Sequence, residues 1–326
     1  MLTPTFNKTF SYAAHPKDGT RQAFGKAVVD MGAKDPNVVY LTADGAMPTV
    51  TGEFFKRFPE RAFNVGIAEQ NLVAMAAGMA SCGLTPIVGG YAPFLVFRAL
   101  EQIRNDAAYT KFHVVIAGVY TGLSLATGGS THHTTEDMAM LRSIANMTVI
   151  SPADGREAYK ATVAATQSAK GPVFIRLGGR TPEPVLYTED YNFQIGKSVQ
   201  LRDGSDATVI ANGSSVFHAV VAADLLREEG FKLRVLNMHT VKPLDEEAIV
   251  KAAKETGRII TVEEHTILGG LGGAVAEVVT SNRPVPVTRI GIKDIFASIG
   301  PTVELLKKYG LTYEGLVVSI RDALSK

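Results

Sequence analysis

Short runs of apolar, largely β-branched residues alternate with segments of helical length along this 326-residue chain. Strands are predicted at 38–42, 85–89, 113–118, 147–151 and 172–176. Helices are predicted between them at 20–32, 70–82, 95–109, 136–145 and 155–169. Because such continuous apolar strands are buried on both faces, helices must cover both sides of a parallel sheet. The sequence therefore predicts an α/β fold with a doubly wound sheet.

The alternation stops over 178–206, which is rich in Gly, Pro, Tyr and charged residues, and then starts again. The second series predicts strands at 207–211, 233–237, 258–262 and 287–291, and helices at 214–229 and 245–256. Ser214 or Ser215 is suited to cap the first of these helices, and Gly257 is suited to end the second. We therefore predict two doubly wound domains, 1–185 and 207–326, joined by a surface linker at 186–206.

The charge balance and the cysteine count exclude several classes of protein. Lys plus Arg is 33 and Asp plus Glu is 32, so no basic surplus exists to displace counterions from a nucleic acid. Cys82 is the only cysteine, which rules out an internal disulfide and a cysteine zinc site. The lone cysteine and the lack of an apolar leader at the N-terminus predict a cytoplasmic protein.

The uncharged stretch 70–97 is long enough to cross a membrane. It is interrupted by Gly83, Pro86, Gly89, Gly90 and Pro93. A spanning segment must satisfy its backbone hydrogen bonds within one continuous helix. The stretch therefore predicts a buried helix, a buried strand and a loop, and no membrane association.

Two segments leave a functional and a structural interpretation open. Glu69 precedes an apolar helical run, where a carboxylate that loses its water is suited to proton transfer; the alternative is an acid that only caps its helix. Tyr91, Phe94 and Phe97 follow a glycine pair at a spacing of three, so they form either core or the lining of a pocket for a flat ring.

Two further motifs are weaker. The segment Gly269–Gly273 resembles a phosphate-binding loop before a helix, but it lacks the Lys-Ser/Thr of a P-loop. A tight turn or a subunit contact is the alternative. His132 and His133 are adjacent in a glycine-rich loop. Neighbouring side chains on a strand point apart, so we predict no two-histidine metal site. A histidine in such a loop either contacts substrate or is bonded to its own backbone.

Taken together, these segments resemble the C-terminal half of transketolase, its pyrimidine-binding domain followed by its C-terminal domain. The matching stretches are GTRQAFG (19–25), ADGAMPT (43–49), FNVGIAEQN (63–71), GGYAPFLVFRALEQIRND (89–106) and GGSTHHTTEDMAMLRSIANMTVISPAD (128–154). The family's other half, which carries its diphosphate and magnesium motif, has no counterpart in this sequence. The resemblance therefore implies one subunit of a split transketolase, with two copies of this chain joined to two N-terminal partner subunits.

The resemblance implies that thiamine diphosphate is the cofactor and that Mg²⁺ and the diphosphate are bound mainly by the partner subunit. Asp44-Gly45 approaches the magnesium motif, but Ala43 replaces its first glycine, so this chain is expected to supply no metal ligand. Glu69 is expected to hydrogen-bond the aminopyrimidine ring and to promote deprotonation of the thiazolium carbon. The other expected cofactor contacts are Asp44, Tyr91, Phe94 and Phe97.

The same resemblance implies substrate contacts. His132 matches the family's active-site histidine, and Arg21 matches an arginine that binds a substrate phosphate. Either Arg176 or Arg180 matches a second anion-binding arginine, and the register leaves both open.

Two positions depart from the family. Gly128 stands where the family has an aspartate that contacts a substrate hydroxyl, and Tyr120 stands in place of a substrate-binding histidine. Since specificity depends on contacts in the transition state, these changes suggest a two-carbon ketol transfer from an unusual ketose, such as a branched or sulfonated sugar, to an aldose phosphate.

Three other functions are weighed against this one. The beta subunit of a 2-oxo acid dehydrogenase has the same domain order and a similar GIAEQ stretch, but residues 128–154 are closer to transketolase. A deoxyxylulose phosphate synthase is the less favoured alternative, because that enzyme is normally one long chain. A non-catalytic scaffold is expected to have lost Glu69, which is present.

Overall fold

The computed structural model describes residues 19–187 and 189–325, and both halves of the chain alternate between strands and helices. The strands of the first half are β1 (Val38–Thr42), β2 (Ala62–Asn64), β3 (Thr85–Tyr91), β4 (Val115–Val119), β5 (Thr148–Ile150) and β6 (Val173–Arg176). Its α-helices are α1 (Thr20–Lys34), α2 (Gly52–Arg57), α3 (Glu69–Ser81), α5 (Asp137–Arg142) and α6 (Gly155–Gln167). The helical segment 94–109, here α4, joins π-helical turns Phe94–Arg98 and Ile103–Tyr109 through the α-helical turn Leu100–Gln102.

The second half continues the pattern. Its strands are β7 (Val199–Arg202), β8 (Ala207–Ala211), β9 (Leu233–Asn237), β10 (Thr240–Lys242), β11 (Ile259–Thr266) and β12 (Val287–Ile292). Its helices are α7 (Ser215–Glu228), α8 (Glu246–Thr256), α9 (Leu271–Asn282), α10 (Thr302–Lys308) and α11 (Tyr313–Leu324).

The strands form two sheets. The first has the order β10-β5-β6-β4-β3-β1-β2, and the second has the order β12-β11-β8-β9-β7. Every pairing is parallel except β10 with β5 and β7 with β9. Because β10 belongs to the second half of the chain but joins the first sheet, the two halves share backbone hydrogen bonds.

Each sheet has an apolar cluster on both faces. In the first sheet, Leu41 and Val88 point into one cluster, while Tyr40 and Ile87 point into the other. Neighbouring residues of one strand thus face opposite layers of helices, as expected for strands buried on both sides. The second sheet repeats this arrangement. The predicted fold class is confirmed.

The predicted helix ends of the second half are right in one case and wrong in the other. The Asp245 carboxylate accepts a hydrogen bond from Ala248 N, and α8 ends at Gly257 in the left-handed conformation (φ +65°). At α7, by contrast, the structure shows no side-chain cap, and the Ser214 hydroxyl instead donates to Glu264 (2.5 Å). A buried carboxylate from the neighbouring strand therefore displaces the predicted local cap.

The uncharged stretch 70–97 divides into α3 and β3 as predicted, but the predicted loop after β3 is replaced by helical turns at 92–98. Within the described parts of the chain, no helix combines the length and the apolar character needed to span a membrane. The prediction of a buried α3 is only partly right, since Gln70, Asn71, Ala74 and Gly78 are exposed. The exposed face of α3 carries no charge between Gln70 and Ser81.

The predicted linker 186–206 is more than a connection. Leu186, Tyr187 and Leu201 are buried in the core of the second half, and β7 within this range forms an edge of the second sheet. The domain boundaries themselves remain a prediction.

Candidate active site

A cavity of about 660 Å³ opens at the carboxyl-terminal edge of the first sheet, where it meets the second half of the chain. Six of the predicted site residues line it: Tyr91, Phe94, Tyr120, Gly128, His132 and Arg180. They come from the end of β3, the start of α4, the residue after β4, the loop before α5 and the segment after β6. Pro301 and Thr302 of the second half close one side. Ligands of doubly wound proteins bind at this edge of the sheet.

One wall of the cavity is aromatic. The rings of Tyr91 and Tyr120 are stacked, with centroids 5.2 Å apart and planes 14° apart. Phe94 packs against Tyr91 at 5.9 Å and meets the His132 ring edge-on at 5.3 Å. Four residues from three segments of the chain thus form one continuous surface suited to a flat ring.

Tyr120 is at the centre of the polar part of this wall. It adopts the left-handed conformation (φ +62°) directly after β4, which is unusual for a bulky residue and is found mostly at functional sites. Its hydroxyl accepts a hydrogen bond from Arg21 Nη1 (3.1 Å). The hydroxyl also interacts with the exposed Arg180, whose pKa it raises. Tyr120 therefore stands between two guanidinium groups.

Arg21 does not line the cavity, although it touches Tyr120. Its side chain is buried, and it donates to the carbonyl oxygens of Gly179 and Pro48 at 2.6 Å each. Burial lowers the pKa of Arg21. The side chain thus ties α1 to the loops that carry Pro48 and Gly179, and it contacts the cavity lining at the Tyr120 hydroxyl.

The two candidates for the second arginine lie in different environments. Arg176 is buried, and its Nε lies 2.9 Å from Asp137 Oδ2. Its Nη2 donates to the carbonyl oxygens of Thr134 and Glu264. Arg180 is exposed and lines the cavity. Of the two, Arg180 is the one that lines this cavity.

Glu69 lies beside the cavity rather than in its lining. It is the first residue of α3 and only 4% exposed. Its Oε2 is 2.5 Å from Arg98 Nη1. The Arg98 guanidinium also lies over the Phe94 ring, 4.8 Å from the centroid. Phe94 therefore connects the buried carboxylate with the cavity.

Sequence reasoning missed Arg98. The signal for it is its position, because Arg98 is the first charged residue after the uncharged stretch 70–97 and directly follows the aromatic triplet.

Two predicted cofactor contacts lie outside the cavity lining. Asp44 is exposed and left-handed (φ +53°), and its backbone N–H donates to the side-chain oxygen of Asn64 (2.9 Å). The Phe97 ring is 42% exposed. Neither residue belongs to the lining that Tyr91 and Phe94 share.

The two histidines have different roles in the loop before α5. The His132 ring faces Phe94, and its Nδ1 pairs with the Thr131 hydroxyl (2.9 Å). His133 is buried with Nε2 on the Ala126 carbonyl (3.1 Å), and burial lowers the pKa of His133. Across 19–187 and 189–325, no group of three or more His, Cys, Asp or Glu side chains is arranged to hold a metal ion.

The glycine-rich segment Gly269–Gly273 is occupied by the protein itself. The backbone N–H groups of Leu271 and Gly272 donate to the buried Glu263 carboxylate at 2.7 and 2.8 Å. A side chain at Gly270 would collide with the same carboxylate. These are the donors that a phosphate would need at a helix N-terminus, so the segment is a tight turn. Burial raises the pKa of Glu263 to about 7.

Two family profiles match the chain. Residues 17–181 match the transketolase pyrimidine-binding domain, and residues 196–316 match the transketolase C-terminal domain. Together they cover most of the sequence and all the residues of the candidate site.

Proteins of similar length give the same result. The chain is 40% identical to a subunit of apulose-4-phosphate transketolase from Phocaeicola vulgatus over 306 residues, which is 94% of this chain and 97% of that protein. It is 36% identical to a subunit of 6-deoxy-6-sulfo-D-fructose transketolase from Clostridium sp. over 306 residues, 94% of each.

A solved structure described as a split-gene transketolase in an inactive beta4 tetramer is also similar. It is 40% identical to this chain, with a TM-score of 0.87, and the match covers 95% of this chain and 99% of the other.

Proposed function

Because the chain belongs to the transketolase family, we propose that it is the C-terminal subunit of a two-chain, thiamine diphosphate-dependent transketolase. The enzyme transfers a two-carbon ketol unit from a ketose to an aldose phosphate. The observation that carries this proposal is the aromatic wall of Tyr91, Phe94 and His132 with the buried Glu69 carboxylate beside it, joined to Phe94 through Arg98. A flat, nitrogen-containing ring needs such a surface and such a hydrogen-bonding partner.

The residues present fit the aminopyrimidine part of the cofactor. Tyr91 and Phe94 offer ring faces, and Glu69 offers a carboxyl group that is nearly excluded from water. Thiamine diphosphate, when bound, supplies the carbon nucleophile of the reaction. Glu69 holds a hydrogen bond to the ring, and His132 and Arg180 orient the sugar. We assign Mg²⁺ and the diphosphate to the partner subunit, as the family resemblance implies.

The surface around Glu69 supports the assignment of a partner. Ile67, two positions before Glu69, is 75% exposed, and the exposed face of α3 carries no charge. Exposed apolar residues in such a patch mark protein interfaces. We assign this surface to an assembly of two copies of this chain with two N-terminal subunits in the cytoplasm, since most soluble assemblies close by two-fold symmetry.

Tyr120 and Gly128 support an unusual ketose as donor. Tyr120 fills the cavity wall with a ring stacked on Tyr91, and Gly128 has no side chain to contact a hydroxyl. Two similar proteins are named for apulose 4-phosphate and for 6-deoxy-6-sulfo-D-fructose. Ketoses of this kind are therefore tested first, beside xylulose 5-phosphate.

The test is reconstitution. This chain is mixed with its N-terminal partner, thiamine diphosphate and Mg²⁺, and each ketose is offered with an aldose phosphate acceptor. We expect ketol transfer from the mixture and none from this chain alone. Transfer from xylulose 5-phosphate as efficient as from any other ketose would remove the argument from Tyr120 and Gly128. Release of carbon dioxide from a 2-oxo acid without ketol transfer would make the protein a dehydrogenase subunit.

A substitution at Arg180 tests the anion site. We expect Arg180→Met to raise KM for the phosphorylated substrate by about 10- to 100-fold, since a hydrogen bond to a charged group contributes about 1.5–3 kcal/mol. The exposed Arg283→Met serves as the matched control and is expected to leave KM unchanged. Steady-state kinetics of the reconstituted enzyme measure both. An unchanged KM in Arg180→Met would remove Arg180 from the substrate site.

A further inference from the structure

Arg98 makes two contacts that a flat, nitrogen-containing ligand would also make. Its guanidinium donates to the buried Oε2 of Glu69 at 2.5 Å, and it lies over the Phe94 ring with Cζ 4.8 Å from the centroid. A guanidinium is planar, carries N–H donors at its edge and stacks on aromatic faces. The Arg98 guanidinium, itself a flat group that carries nitrogen, thus occupies both the Glu69 carboxylate and one face of the Phe94 ring.

The Glu69 carboxylate and the Phe94 ring are two of the three groups that the proposed function assigns to the aminopyrimidine ring of the cofactor, the third being Tyr91. We infer that Arg98 is an internal placeholder, which occupies the Glu69 carboxylate and the Phe94 face in the free subunit and leaves when thiamine diphosphate binds. This inference rests on the proposed function, and it adds a positioning residue that acts through Glu69.

The free subunit needs such a residue. Glu69 is 4% exposed, and a buried carboxylate without a partner is strongly destabilising. Arg98 supplies the counter-charge from the end of the π-helical turn Phe94–Arg98. Its side chain is 46% exposed, so the long stem can turn the charged group into water without unfolding the core.

Displacement makes Arg98 a competitor of the cofactor. Binding of the cofactor must break the ion pair between Arg98 and Glu69 and move the Arg98 guanidinium off the Phe94 ring. Both of these interactions of the free subunit are then lost. Removing Arg98 takes away this competition while Glu69 and Phe94 remain. A side chain that only supported the site would have the opposite effect, because its removal would weaken binding.

The experiment measures cofactor binding directly. Thiamine diphosphate is titrated by calorimetry into this chain reconstituted with its N-terminal partner and Mg²⁺. We expect Arg98→Met to lower the Kd for thiamine diphosphate by about 3- to 30-fold, the sum of a surface ion pair and a cation–π contact. Arg98→Lys retains the charge without the planar group, and we expect it to fall between the wild type and Arg98→Met.

Arg104→Met is the matched control. Arg104 is an exposed arginine of the same helical segment whose Nη1 contacts Asn105, and we expect its substitution to leave the Kd unchanged. Thermal unfolding of each variant reports whether the chain is folded.

Three outcomes separate the two proposals. Tighter binding in Arg98→Met, with Arg98→Lys between, supports the placeholder. Unchanged or weaker binding in both variants, while the wild type binds thiamine diphosphate, overturns it and leaves the proposed function standing. Absence of binding in the wild type and in every variant overturns the proposed function, and the placeholder with it.

Discussion

Glu69→Gln is expected to lower the turnover of the reconstituted enzyme by about 10²- to 10⁴-fold, the usual contribution of a positioned acid–base group. The amide keeps the size of the side chain and can still form a hydrogen bond, but it cannot transfer a proton. Glu69 is 4% exposed, so water does not replace the lost group. The measurement is kcat for ketol transfer at saturating cofactor and substrates.

The control for this substitution is Glu101→Gln. Glu101 is an exposed acid on the neighbouring segment α4, and we expect its turnover to match the wild type. Urea unfolding of both variants separates a catalytic effect from a loss of structure. A kcat for Glu69→Gln within about threefold of the wild type would contradict the assigned role, because a general acid–base group contributes far more.

The alternation of strands and helices makes the fold of this chain predictable. Runs such as Val38–Thr42 and Ala207–Ala211 are mostly apolar, and each forms a strand that is buried at every position because both its faces are covered. The Asp245 cap and Gly257 set the ends of α8 locally. Where the local sequence determines the energetics, the prediction and the structure agree.

Elements that depend on distant partners could not be predicted in this way. The strand β10 has only three residues and exists because it pairs with β5 of the other half. The strand β7 lies in a polar segment and is held by β9. The predicted Ser214 cap does not form for the same reason, because the Ser214 hydroxyl donates its hydrogen bond to Glu264, fifty positions away. Periodicity in one segment contains no information about such contacts.

The same distinction holds for the candidate site: its residue types could be predicted, but its long-range contacts could not. The family resemblance indicated Glu69, the aromatic residues and His132, and the structure brings Phe94 and His132 together. The resemblance could not decide between Arg176 and Arg180, because the two residues differ in burial and not in type. Nor did it indicate Arg98, because its pairing with Glu69 depends on how α4 lies against the start of α3.

The burial of Arg176 has its own consequence for stability. Arg176 at the end of β6 and Asp137 at the start of α5 form an ion pair whose side chains are 4% and 0% exposed. Arg176 also reaches the Glu264 carbonyl of β11 at 2.8 Å, so the pair connects the two halves of the chain. Burial raises the pKa of Asp137, and the adjacent Arg176 opposes that rise.

Asp137→Asn is expected to reduce the free energy of unfolding by about 3–5 kcal/mol, the cost of leaving one charge of a buried pair uncompensated. Urea unfolding at fixed protein concentration measures it, with the exposed pair of Glu53 and Lys56 as control, where Glu53→Gln should cost less than about 1 kcal/mol. Combining Asp137→Asn with Arg176→Met should cost less than the sum of the single substitutions, because the double variant buries no unpaired charge. Strict additivity would mean that the two side chains do not stabilise each other, and Arg176 would again be a candidate for the anion site.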